Sequence, residues 1–258
     1  MRAFIDDIAR SIAFLSRLPV PARHFHGDDH GLSRTVRAFP IAGAVIALPA
    51  ALLAAVLAVI VAPPFVAASL IVALQLMITG ALHEDGLADT ADGLGAGRDR
   101  ERALAIMKDS RTGVFGVVAL VMTLLIRVAA LATLVVILPP EALLLALIAI
   151  AAFSRAAMVW HWHMLPPARV DGLAVSMGRP APASARLALF LGFLVALPLL
   201  PFAAGPVAAL IAVAAAILAF FVFTSRTRKR LNGATGDTIG ATQQLVEVAL
   251  LAGLALCL

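Results

Sequence analysis

VFGVVALVMTLLIRVAALATLVVILPPEALLLALIAIAAFSRAAMVW (114–160) holds two apolar runs, 114–138 and 142–160, parted only by Pro139, Pro140 and Glu141. Each is close to the roughly 20 residues that carry an α-helix across the hydrocarbon core of a bilayer. Paired prolines end one helix and open the next. Working outward, apolar runs of similar length recur at about 38–61, 65–82, 186–203, 205–224 and 238–257. Pro63 and Pro64 divide the first two of these, and Pro201 with Gly205 marks a tight connection between the 186–203 and 205–224 runs. The 186–203 run is the least regular, because Pro198 lies within it. The pattern predicts an all-α, polytopic integral membrane protein with about seven transmembrane helices in one domain spanning 1–258.

Composition excludes a soluble alternative. Hydrophobic residues make up 62% of the 258 and charged residues 14%, with a mean hydropathy of +1.01; so little polar surface cannot cover so much apolar side chain in water. The single cysteine, Cys257, excludes an internal disulfide and a cysteine-based metal site, and no tyrosine is present. Asp6, Asp7, Arg10 and Arg17 interrupt the first 20 residues, so these do not read as a cleavable signal peptide. Phe4, Ile5, Ile8, Ile12, Ala13 and Leu15 recur at helical spacing. They suit an amphipathic helix at the membrane surface or one packed on the other helices. His24, His26, Asp28, Asp29 and His30 follow as a polar patch that reads as a solvated loop.

Charge placement sets the expected orientation. Of the 20 Lys and Arg, only Arg127 and Arg155 fall inside spans; all others sit in 1–37, 83–113, 161–186 and 225–237, and the alternate connections have none. By the positive-inside rule the N-terminus, with the whole 1–37 segment, is expected on the cytoplasmic side, and after seven spans the C-terminus opposite. The net charge of +5 follows from that orientation and from anionic membrane lipid, and calls for no nucleic-acid partner. Arg127 lies deep enough to require an ion-pair partner, for which Glu247 is a candidate.

The acids are as unevenly spread. Seven of the 15 carboxylates fall within 84–109, starting in LHEDGLADTADG (82–93), where the second span ends. On a helix Asp85, Asp89 and Asp92 fall within an arc of roughly 60°. Like charges so placed repel unless a cation compensates, and hard oxygen ligands suit Mg²⁺, which also binds substrate phosphates. The bland reading is a solvated acidic helix end, against which Gly86 and Gly93 suggest close approach of a ligand. His83, alongside, is a general base, a hydrogen-bonding group for substrate, or structural. MKDSRTGVFG (107–116) puts Lys108, Asp109, Ser110 and Arg111 before two glycines, a pattern like a phosphate-holding loop but weak by itself. Asp237, in NGATGDTIGATQQLVE (232–247), either joins the acidic cluster or caps its own helix.

LHEDGLADTADGLGAGRDRERALAIMKDSRTGVFG (82–116) resembles the signature region of the cobalamin synthases, the adenosylcobinamide-GDP ribazoletransferases. SRLPVP (16–21), FPIAGAVIA (39–47), LPPARVDGLA (165–174) and TGDTIGA (235–241) resemble further family segments in order, so the likeness covers nearly the whole chain. Only 161–170, with its HWH, is less typical, and His161 and His163 are given no role. The resemblance implies a Mg²⁺-dependent enzyme of the bacterial cytoplasmic (inner) membrane. In its reaction the 5′-hydroxyl of α-ribazole, or of α-ribazole 5′-phosphate, attacks the corrinoid-side phosphorus of adenosylcobinamide-GDP and GMP leaves. Applied here, it puts Mg²⁺ on Asp85, Asp89 and Asp92, makes His83 or Glu84 the proton acceptor, and gives Lys108 and Arg111, with Asp109, Ser110 and Asp237 nearby, to the diphosphate or the GMP. It leaves open the lower-ligand base and whether the protein is a homo-oligomer.

Two other readings are weaker. A CDP-alcohol phosphotransferase requires Ala-Arg after Asp-Gly and two residues, but Asp85-Gly86 is followed by Leu87, Ala88, Asp89 and Thr90; a prenyltransferase requires paired acidic motifs, and one cluster is present. A transporter carries its polar site near the midplane, often on broken helices, whereas 83–113 reads as an acidic loop at the membrane boundary.

Overall fold

Proline opens most of the long helices, because a residue without an N–H costs nothing in the first turn. In the computed structural model, which describes residues 2–25 and 31–258, α1 (Arg2–Leu15) and the short α2 (Gly31–Thr35) precede α3 (Phe39–Val59), with Pro40 in its first turn. α4 (Pro64–Thr79), α5 (Leu82–Ala96) and α6 (Arg100–Ile106) follow, then α7 (Val114–Ile137) and α8 (Pro140–Met164). After the single turn α9 (Leu173–Ser176) come α10 (Pro182–Ala204), α11 (Pro206–Leu231) and α12 (Gly236–Cys257). Among the described residues there is no strand, only one parallel bridge between Pro167 and Ala234. Among the described residues six helices are long and apolar enough to cross a membrane alone, and α4 with α5 makes a bent pair, a broken span that would bring the total to seven or a re-entrant segment. The 186–203 span is one unbroken helix, α10, despite Pro198 and Pro201.

The 83–113 segment is not a loop. Gly80 (φ 64°) ends α4 and Ala81 (φ 57°) opens α5, and two successive left-handed residues turn the chain by 90°. Glycine enters that region freely, and alanine only where its surroundings hold it there. α5 then packs between α7 and α12, with His83, Glu84 and Asp92 buried. Glu84, Asp85, Asp89 and Asp92 thus sit on the second helix of the bent pair, packed on the bundle with Glu84 and Asp92 buried. That removes the argument against a transporter that rested on a loop position.

Lipid contact explains which residues face where. Val114, Val118, Val121, Met122 and Leu125 of α7 are exposed, while its buried stripe includes Gly116, Thr123, Arg127 and Leu131. With apolar side chains equally at home in lipid, helices approach through small residues. α8 lies at the centre and is buried around most of its length. A Cβ on Gly192 of α10 would stand 2.4 Å from Ala156 Cβ of α8, and one on Gly253 of α12 2.7 Å from Ala212 Cα of α11. α1 packs on α3: Phe14 stacks on Phe39 with ring centroids 5.8 Å apart, and buried Asp7 accepts from Arg37 at 2.6 Å. Of the N-terminal polar patch, His24 bonds Asp6 at 2.7 Å, and His26, Asp28, Asp29 and His30 lie outside the described residues.

One polar network joins five helices. Arg127 (α7), 1% exposed, donates from Nη1 to Glu84 Oε1 (α5) at 2.7 Å and to Gln244 Oε1 (α12) at 3.2 Å. Its Nη2 donates to Gln75 Oε1 (α4) at 2.8 Å and stands 3.1 Å from Glu247 Oε1 (α12). Arg155 of α8 pairs with Glu247 Oε2 at 3.2 Å. Two arginines and two glutamates therefore neutralise one another away from water, as buried charges must. Replacing Arg127 by Leu leaves both glutamates short of a cation, and we expect it to lower stability by about 3–5 kcal/mol. Thermal unfolding in detergent measures this, and Arg127→Leu combined with Glu84→Gln should recover part of the loss.

Candidate functional site

The sequence of α5 sets the site. Its three aspartates, one helical face by spacing, grade in exposure: Asp85 is exposed, Asp89 half-buried and Asp92 buried. Asp92 is engaged by the backbone. Its Oδ2 accepts from Gly113 N–H at 2.6 Å and its Oδ1 from Gly116 N–H at 2.9 Å, so a carboxylate caps the start of α7, where unpaired amides and the helix dipole favour an anion. Glu84 is committed to Arg127 and Gln244.

The place left at the carboxylate face by Asp92 is filled from α12. Thr235 caps that helix, accepting from Thr238 N–H at 3.2 Å in a reciprocal capping box, so Asp237 is not the cap. α12 starts against Gly86: a Cβ there would stand 2.8 Å from the Asp237 carbonyl oxygen, and one on Gly240 3.4 Å from His83 Cα. Gly86 thus admits a neighbouring helix rather than a ligand. Gly93 likewise admits α6 and the turn after it, through Ala103 and Met107. The close approach brings Asp237 into the electrostatic field of Asp85 and Asp89.

Asp85 and Asp237 line one wall of a 140 Å³ cleft, with His83 beside them and the aromatic rings of Phe14, Phe39 and Trp162 opposite. Among the described residues lining the cleft, Arg169, from the connection between α8 and α9, is the one Lys or Arg. Its Nη1 stands 3.7 Å from Asp237 Oδ2, its Nη2 donates to Leu104 C=O at 3.0 Å, and its buried Nε has no partner in the protein. Sequence reasoning gave Arg169 no role, because an arginine in that connection satisfies the charge rule for orientation and needs no other reason. Its signal was the rigid PPAR stretch beside the later glycine, in LPPARVDGLA. The structure pins this stretch: Ala168 N–H donates to Ala234 C=O at 2.8 Å, Ala234 N–H to Pro166 C=O at 2.7 Å, and Arg100 to the carbonyls of Leu231 and Ala168.

The 107–116 stretch divides. Lys108 pairs with Asp171 at 2.6 Å and so holds that carboxyl below its ordinary range. Asp109 and Arg111 bond to each other at 2.7 Å, fully solvated, and the arginine's hydrogen bonds hold the Asp109 carboxyl down to about 2. Ser110 is exposed beside them. None of Lys108, Asp109, Ser110 and Arg111 lines the carboxylate cleft.

Among the described residues no three His, Cys, Asp or Glu side chains converge closely enough to hold a metal on protein ligands alone. The donor set fits Mg²⁺ all the same, since that ion keeps several waters and takes one or two carboxylates with substrate phosphates completing its shell. Asp85, Asp89 and Asp237 supply hard oxygens under mutual repulsion, with Arg169 the nearby cation.

Fold and site together define a multi-pass α-helical membrane protein with a carboxylate-lined cleft at one end of its bundle. The chain matches the cobalamin-5-phosphate synthase family over residues 7–255, and it belongs to that family. Proteins named adenosylcobinamide-GDP ribazoletransferase from Sinorhizobium medicae and Rhizobium meliloti are 57% and 56% identical over all of this chain and 99% of their own. The protein of that name from Azorhizobium caulinodans is 44% identical over 96% of this chain and 95% of its own. No solved structure matches.

Asp92→Asn keeps one acceptor and loses the charge that caps α7. We expect a stability loss of about 1–3 kcal/mol and faster amide hydrogen exchange in a peptide covering 112–118. Asp85→Asn, which touches neither amide, should leave that exchange unchanged.

Proposed function

We propose that the protein is a membrane-bound transferase joining adenosylcobinamide-GDP to α-ribazole, or to α-ribazole 5′-phosphate, with release of GMP. The 5′-hydroxyl oxygen forms a bond to the corrinoid-side phosphorus, the bond from that phosphorus to the bridging oxygen breaks, and GMP carries the bridging oxygen away. The product is adenosylcobalamin or its 5′-phosphate. The observation that carries this reading is the meeting of Asp85 of α5 and Asp237 of α12 on one cleft that Arg169 also lines, with Asp89 in the field of both carboxylates. Family membership supports the reaction, and the approach of α12 to α5 supports assigning it to this cleft.

Phosphoryl transfer asks the protein for positioning and charge neutralisation more than for covalent help. Asp85, Asp89 and Asp237 would offer one or two carboxylates at a time to a Mg²⁺ ion arriving with the diphosphate, and that ion would supply charge neutralisation there. Arg169 adds a fixed cation at the same wall, and its partnerless Nε is a donor available to a phosphate oxygen. His83 lines the cleft with an Nε2 that bonds nothing in the protein, and we assign it the proton of the attacking hydroxyl. Glu84 is withdrawn from that role by its bonds to Arg127 and Gln244. Phe14, Phe39 and Trp162 offer apolar surface to the corrinoid or the base.

We place this end of the bundle on the cytoplasmic side of the inner membrane, with the N-terminus. The support is the clustering of basic residues in the connections at this end and their absence from those at the other.

Purified protein in membranes, given adenosylcobinamide-GDP, α-ribazole and Mg²⁺, should release GMP in step with a new cobalamin, with EDTA abolishing and Mg²⁺ restoring turnover. Asp89→Asn should lower kcat by about 10²-fold or more while leaving thermal unfolding within a few degrees of the parent. Normal turnover by that variant would sink the metal-site assignment.

A further inference from the structure

Arg169 also forms the wall of a second cavity. On the side away from the carboxylates lies an open trough of 400 Å³, between Arg100, Leu104 and Lys108 of α6 and its C-terminal turn and the 167–171 stretch. The trough is rigid where it nears the cleft. Arg100 spends its guanidinium on the carbonyls of Leu231 and Ala168, and the bridge between Pro167 and Ala234 fixes the opposite wall. Its outer end is different. There Lys108 Nζ and Asp171 Oδ2 meet at 2.6 Å, with their side chains 52% and 61% exposed, so an ammonium and a carboxylate stand side by side in reach of solvent. Among the described residues that line the trough, Asp171 is the one acid.

The chemistry of that pair is selective. The Watson–Crick edge of guanine presents an acceptor, O6, followed by two adjacent donors, N1–H and the 2-amino group. An ammonium has only donors and an ionised carboxylate only acceptors, so the two together match that edge in order. Adenine presents a donor followed by an acceptor, the reverse order, and meets the same pair with both sides mismatched. Arg169, at the trough's inner end and on the wall of the carboxylate cleft, supplies a donor to a phosphate at the junction.

Resting on the transferase reading above, we propose that this trough is the subsite for the departing nucleotide, with Arg169 on its phosphate and the Lys108–Asp171 pair reading the guanine edge. Asp171 is then a specificity-determining residue, and Arg169 links the place where the bond breaks to the place where the leaving group is held. The ion pair opens slightly to admit the base and keeps each charge compensated by a polar partner.

Titration calorimetry of the full-length protein in detergent with GMP, IMP and AMP tests this. IMP lacks only the 2-amino group. We expect GMP to bind about ten-fold or more tightly than IMP or AMP, since a site built around a donor rejects the analogue lacking it. Asp171→Asn should bring the three nucleotides within about two-fold of one another. In turnover that variant should raise KM for adenosylcobinamide-GDP more than it lowers kcat. Arg169→Gln should weaken all three nucleotides alike. Equal binding of the three nucleotides to the parent protein would overturn the proposal, as would an undiminished GMP preference in a folded Asp171→Asn variant. A pair serving only as a surface latch would change stability without touching base preference. Selective GMP binding without transfer of the ribazole would instead retain the guanine subsite and refute the transferase reading.

Discussion

Arg127 has to be neutralised in the middle of the bundle, and much of the architecture is arranged to do it. One guanidinium draws a glutamine from α4, a glutamate from α5, and a glutamine and a glutamate from α12. Glu247 in turn receives Arg155 from α8. Because the alternative for each charge is hydrocarbon, the helices are held in mutual register more tightly than apolar contact alone would require. The carboxylate cleft inherits that register. Glu84 is one residue before Asp85 and one after His83, so fixing the Glu84 carboxylate on Arg127 fixes the rotation of α5 at its first turn.

The acids of α5 show how one motif divides its labour. Adjacent residues in a helix point about 100° apart, so neighbours in sequence reach different surroundings. Glu84 meets the buried arginine, Asp85 the cleft, and Asp92 the amides that open α7. A dense acidic signature therefore need not mean a dense metal site. It combines one ion pair, one helix cap, one carboxylate on the cleft lining and a half-buried neighbour, Asp89, and the other cleft carboxylate, Asp237, comes from a segment about 150 residues later.

Much of this was legible in the sequence, for identifiable reasons. Prolines at 63–64 and 139–140, and the glycine at 205, cut the apolar runs where helices end, because hydropathy and backbone chemistry are local, whereas Pro198 and Pro201 lie inside α10. Glu247 was readable as the partner of Arg127 because deep acids are scarce in this chain. The break at Gly80–Ala81 was not readable, since an alanine in the left-handed region leaves no compositional trace. Without the break, α5 appears to leave the membrane as a loop. Asp92 and Glu84 could not be separated from the cleft acids, because periodicity gives the face of a helix but not which neighbour covers it. Arg169 was hidden by a sufficient explanation of another kind, the orientation charge rule.

The broken crossing also bears on the order in which the molecule can be put together. α4 offers only 16 residues to the bilayer, fewer than the roughly 20 that span it unaided, and the chain continuing from it carries Glu84. That glutamate has no countercharge until α7 has been made and delivers Arg127. The arginine in turn lacks Gln244 and Glu247 until the last helix is in place. Insertion from the N-terminus thus leaves the second crossing electrically incomplete for most of synthesis. The carboxylate cleft, which borrows Asp237 from the first turn of α12, can close only once that helix has been made.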